Sequence, residues 1–140
     1  MSFVKFYFTQ RQINNYYKTA IKNFKIAVKY EEPEIIFHFC YEALLKLAIA
    51  VCADNGLRVK SRAGHHIELI KKLSDYLEDN NIEKTGDRMR KKRNKDMYGG
   101  GVIITLKEAK DYLEWLKGVF EKGKKYFGKS QQELNLNIKK

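Results

Sequence analysis

An all-α fold, an up-and-down bundle of about five helices, is what three features of this 140-residue sequence predict. Apolar side chains recur at three- and four-residue steps in several windows, the period of a helix with one buried face. A single proline, with abundant Lys, Leu, Ile, Tyr and Glu, favours helices over a turn-rich β fold. The apolar content of 44%, with 13% aromatic residues, is enough for one real core and excludes wholesale disorder. The chain reads as one helical domain over 1–128 and a polar, flexible tail over 129–140.

Residues 2–8 (SFVKFYF) are aromatic and partly alternating, an extended arm or the start of a helix. Thr9 is the expected N-cap of a first helix reaching about Tyr30. Its buried stripe is Ile13, Tyr16, Tyr17, Ala20, Phe24, Ala27 and Val28, while Lys18, Lys22, Lys25 and Lys29 lie mostly off that stripe and keep it soluble. Glu32-Pro33-Glu34 opens a second helix, with proline in the first turn and acids at the positive end of the dipole. It runs to about Asp54, where Asn55-Gly56 supplies a stop. Apolar residues cover more than half its circumference, so it belongs at the centre of the bundle.

Leu57 to Ala63 reads as a basic connector, followed by a helix from about Gly64 to Leu77 with Ile67, Leu69, Ile70, Leu73 and Leu77 inward. Asp79-Asn80-Asn81 ends it, and a fourth helix begins near Ile82. Its apolar residues are so few, chiefly Met89 and Met97, that part of it is expected to rest on a second protomer or a partner. Gly99-Gly100-Gly101 breaks the helix and Val102-Ile103-Ile104 connects onward. Thr105 to Glu108 has the spacing of a capping box. The last helix then runs to about Phe127, with Ala109, Tyr112, Leu113, Leu116, Val119, Phe120 and Phe127 inward.

Cys40 and Cys52 stand twelve residues apart on one predicted helix. That spacing separates their Cα atoms by ~18 Å, too far to bridge. Buried free thiols and a reducing, cytoplasmic setting are therefore expected. MSFVKFYFTQ is too short and interrupted for a secretory signal, and no uncharged apolar run is long enough to span a bilayer.

The charge is concentrated. The chain carries +11, and between Lys84 and Lys95 seven Lys/Arg face one acid, Asp87, a local +6. Such a field attracts polyanions, of which phosphate is the commonest. Arg93 is placed to clamp phosphate, with Arg88, Arg90, Lys91, Lys92, Asn94 and Lys95 widening the footprint. Tyr98, five residues on and ~140° round the helix, can hydrogen-bond the phosphate or stack on a base.

Other chemistry finds little footing. Cys-x-x-Cys, Walker, dinucleotide and His-Glu-x-x-His patterns are missing, and GGGVIIT reads as an interhelical turn rather than a phosphate loop. His38, in the most apolar helix, reads as a hydrogen-bonded core histidine. His65 and His66 point ~100° apart and cannot both face one site. Either could hold a nucleotide or move a proton, although a solvent-facing or capping role is the simpler expectation. Glu42 and Lys46, four apart, read as a helical ion pair. No metal site and no cofactor is expected.

The ordered set of an Ala/Leu-rich helix (HFCYEALLKLAIAVCADNG), a Gly-His-His helix start, RxxRNKDMY and ITLKEAKDYLEWLKGVFEKGKKY resembles the HEPN superfamily, from about Tyr16 to Phe127. HEPN ribonucleases and toxins typically carry Arg-x(4–6)-His near the end of the penultimate helix. The arginine falls on Arg93, its polar follower on Asn94, and the histidine position on Tyr98. Tyrosine, with a reference pKa near ~10, is a poor general base, so the resemblance implies RNA or nucleotide binding ahead of catalysis. A metal-independent endoribonuclease, with Tyr98, His65 or His66 in the acid/base role, is the alternative. The resemblance also implies a homodimer with the arginine motifs lining one cleft. It further implies association with a small nucleotidyltransferase, in a toxin–antitoxin pair or with the chain as a non-catalytic adaptor.

Overall fold

A computed structural model describes residues 3–60, 65–99 and 104–138, with the side chains of all of these except 96–99 and 129–138. The order is β1 (Phe3–Lys5), α1 (Gln10–Lys29), α2 (Pro33–Asp54), β2 (Leu57–Val59), α3 (His65–Tyr76), α4 (Asn80–Gly99) and α5 (Leu106–Ile138). Among the described residues, five helices and one small sheet make the all-α bundle expected.

Helix α2 is its axis. Apolar on nearly every side, it packs against α1, α3, α4 and α5, and thirteen of its 22 residues are buried. Burying a Leu, Ile or Val side chain fully is worth about 1.5–3 kcal/mol, so α2 supplies much of the driving force for the fold. By length and composition it could cross a bilayer, but 67% of that apolar window is buried inside the protein, as in a core helix. Its thiols Cys40 and Cys52 are both buried and free.

Two glycines let neighbours press on this axis. A Cβ built on Gly86 of α4 would lie 2.6 Å from Ile70 Cγ2 and 3.3 Å from Leu44 Cδ2. One built on Gly123 of α5 would lie 3.2 Å from Leu47 Cδ1. Ile82 and Met89, on the same stripe of α4 as Gly86, are fully buried. These three residues seat the first half of α4 on its neighbours, a closer fit than two methionines suggest, because the middle one has no side chain.

The caps follow local sequence. Thr9 Oγ1 accepts from the Gln12 amide (3.1 Å) while Gln12 Oε1 accepts from the Thr9 amide (2.9 Å). Thr105 and Glu108 repeat the arrangement at the start of α5. That helix then continues past Gly128 to Ile138, beyond the end expected near Phe127. Gly128 is a single weak breaker, and the Gln, Glu and Leu that follow are good helix formers.

Three local expectations fail. The connector after α2 contains β2, which pairs antiparallel with β1, Val4 opposite Arg58. Val28 is 55% and Ile67 45% exposed. Val28 follows the fully buried Ala27 but lies about 100° further round the helix, at the edge of the stripe. Ile67 opens onto a cavity of about 430 Å³ between α3 and α4, lined also by Ile70, Glu83, Lys84 and Asp87.

Candidate phosphate-binding site

Arg93 belongs to the inward stripe of α4. Ile82, Gly86, Met89 and Arg93 are spaced four, three and four residues apart, so the helix that seats its apolar residues on α2 and α3 carries the guanidinium in with them. Gly86 meets Leu44 of α2 and Ile70 of α3. About one turn back from those two stand Tyr41 and His66. Two turns on from Gly86 stands Arg93, and the three converge.

The Arg93 guanidinium carbon lies 5.5 Å from the centre of the Tyr41 ring, a cation–π distance. Tyr41 is fully buried, and its hydroxyl is 3.1 Å from His66 Nδ1. His65 stands edge-on to His66, ring centres 4.7 Å apart. Arg93 is half-buried and makes no ion pair among the described residues, unlike Arg90, Lys91 and Lys92 beside it. Arg90 and Lys91 both hold Asp87, at 3.0 and 3.2 Å, and Lys92 reaches Glu108 across to α5 at 4.0 Å.

Burial pushes the Tyr41 phenol up to about 12, against the opposing pull of Arg93 and Arg90. The group is therefore a neutral hydroxyl, able to donate or accept. His66 is lowered, first by burial and then by the neighbouring His65 and Arg93. Burial alone would raise Asp87, but hydrogen bonds from Arg90 and Lys91 outweigh it and hold the carboxyl below its usual range.

The sequence-predicted residues divide by helical phase. Arg93 and, on its flank, Arg90 turn toward Tyr41. Arg88, Lys91 and Lys95 are exposed on the outer side, Asn94 is half-buried, and Lys92 is committed to Glu108. They do not form one footprint around Arg93. The side chain of Tyr98 lies outside the described residues, as do the Gly64 helix start and the Gly100–Ile103 turn.

Two histidine expectations are corrected. His38 is exposed, because Glu34, His38, Glu42 and Lys46 recur every four residues along the polar strip of α2, and it stacks edge-on against Phe39. His66 is part-buried and hydrogen-bonded to Tyr41 rather than turned wholly to solvent. The Glu42–Lys46 pair is present at 3.3 Å. Tyr41 was missed altogether: it reads as one more apolar position of α2, and only its hydroxyl on a buried face hints that a polar partner must come from another helix. Among the described residues no three His, Cys, Asp or Glu side chains group closely enough to hold a metal ion. Compared with protein-family models, curated proteins and solved structures, the chain finds no significant match.

Proposed function

We propose that this is a HEPN-type RNA- or nucleotide-binding protein in which Arg93 holds a phosphate at the junction of α2, α3 and α4. One observation carries the reading: a half-buried guanidinium with no carboxylate partner among the described residues, placed over an aromatic ring and beside a histidine. Drawing a cation partly out of water is costly unless a counter-charge meets it. A phosphate oxygen offers the charge and the acceptors that an arginine fork is shaped to meet. The order of helices and the position of Arg93-Asn94 near the end of the penultimate helix support the same assignment. The reading takes a homodimer as the working form and a small nucleotidyltransferase as its partner.

Fluorescence anisotropy with labelled RNA and with a nucleotide tests it. A charge-assisted hydrogen bond is worth about 1.5–3 kcal/mol, so Arg93→Ala should weaken binding roughly tenfold or more. Undiminished binding by that variant would remove Arg93 from the site.

A second reading, a metal-independent endoribonuclease, gains from the placement of His66. If Nδ1–H is donated to the Tyr41 oxygen, Nε2 carries the lone pair. It could take the proton from a ribose 2′-hydroxyl as that oxygen attacks the adjacent phosphorus, closing a 2′,3′-cyclic phosphate, while the 5′-oxygen departs with a proton from water. RNA cleavage in EDTA, lost in both Arg93→Ala and His66→Ala, is the expected signature. No cleavage by the wild type leaves binding as the function.

A further inference from the structure

Two segments account for the whole net charge. The stretch from Lys84 to Lys95 carries +6, and α1, with Arg11, Lys18, Lys22, Lys25 and Lys29 and no acid among its twenty residues, carries +5 of the total +11. The remainder of the chain is neutral. Four of the α1 cations are spaced four, three and four residues apart, one continuous face that rises ~17 Å along the helix. All four are exposed, and none makes an ion pair among the described residues. With Ile21 and Ile26 they line a groove of about 420 Å³.

Solubility alone needs no such alignment. We propose that the lysine face of α1 is a second nucleic-acid contact, a rail for the phosphate backbone of a single RNA strand, separate from the Arg93 cluster across α2. A lysine ammonium is a compact point charge on a flexible stem, suited to backbone contact rather than base reading. An anionic membrane is the other polyanion to weigh, and the packing disfavours it. The aromatic side chains of α1 are already spent on the bundle: Phe24 stacks on Phe120 at 5.0 Å and Tyr17 packs at a tilt against Phe127 at 4.6 Å. What α1 presents outward is a row of four lysines with only the partly buried Ile21 and Ile26 between them, a line of charge that matches the phosphates of one strand. A surface-lying membrane helix instead keeps an apolar face free to enter the bilayer.

The test is anisotropy with a labelled single-stranded RNA of about 20 nucleotides across a salt series, since each phosphate contact contributes roughly −0.7 to the slope of log K against log salt. Combined Lys18→Gln, Lys22→Gln, Lys25→Gln and Lys29→Gln should flatten the slope by about 2–3. Arg93→Ala should change it by no more than about 0.7. A charge-matched control, Lys107→Gln, Lys110→Gln, Lys117→Gln and Lys124→Gln on exposed positions of α5, should leave most of the slope in place. Circular dichroism verifies that each variant is folded. An unchanged slope in the α1 variant, or equal flattening by the α5 control, overturns the rail. So does wild-type protein that ignores RNA but binds phosphatidylserine vesicles through these lysines. Because the rail and the Arg93 site are removed by different variants, one can fail while the other stands.

Discussion

His66 and Arg93 press on each other through Tyr41, and their coupling can be measured. Burial, His65 and Arg93 all lower the imidazole. In histidine-resolved NMR titration, His66 should titrate below its ordinary range and move upward in Arg93→Ala; an unmoved value would mean that the guanidinium lies elsewhere. The same shift has a consequence for stability. Between the folded pKa and the unfolded value near ~6.5, the unfolded chain binds more protons, so stability rises with pH through that window and levels off below it, where both states are protonated. In His66→Gln that part of the pH dependence of Tm should disappear. Tyr41→Phe leaves the half-buried Nδ1 without its partner and should cost about 1–2 kcal/mol in urea unfolding. At this scale the sequence was half legible. Local charge marks the segment that holds Arg93, one of its seven cations. The hydrogen bond between Tyr41 and His66 spans 25 residues and two helices, and nothing local marks it.

Among the elements, α4 shows how a missing side chain positions a present one. Gly86→Ala gains helix propensity of up to about 1 kcal/mol. The new methyl group meets Ile70 and Leu44 at distances that overpacking tolerates only at about 1–3 kcal/mol. The net effect should be a lower Tm, and weaker RNA binding than in wild type as the Arg93 end of α4 lifts from Tyr41. A stabilised variant with full binding would contradict this packing. Helix α3 offers the opposite case. The Asp79 amide donates to Ser74 O and the Glu78 amide to Asp75 O, a Schellman closure, with Glu78 at φ 55° where glycine is the usual occupant. Glu78→Gly should relieve about 1 kcal/mol and raise Tm by roughly 3–5 °C, measurable by calorimetry. The helices and their caps were legible because Thr9 with Gln12 and Thr105 with Glu108 are contacts within four residues. The β1–β2 pair was not: each strand has three residues, and the partners lie more than fifty positions apart.

For the molecule as a whole, the central place of α2 was readable from its composition, since a helix apolar on every side has to be surrounded. The separation of charge onto two faces was not, because it depends on which helices α2 stands between. That central position also equips the protein with an internal clock. The Cys40 and Cys52 thiols are buried in α2, and burial pushes each up to about 12, so neither is accessible or ionised in the folded chain. An alkylating reagent must wait for the bundle to open. Mass-resolved labelling should add both tags together if opening is global, or one before the other if an end of α2 loosens first. Cooperativity could thus be followed on the native chain, without an introduced probe.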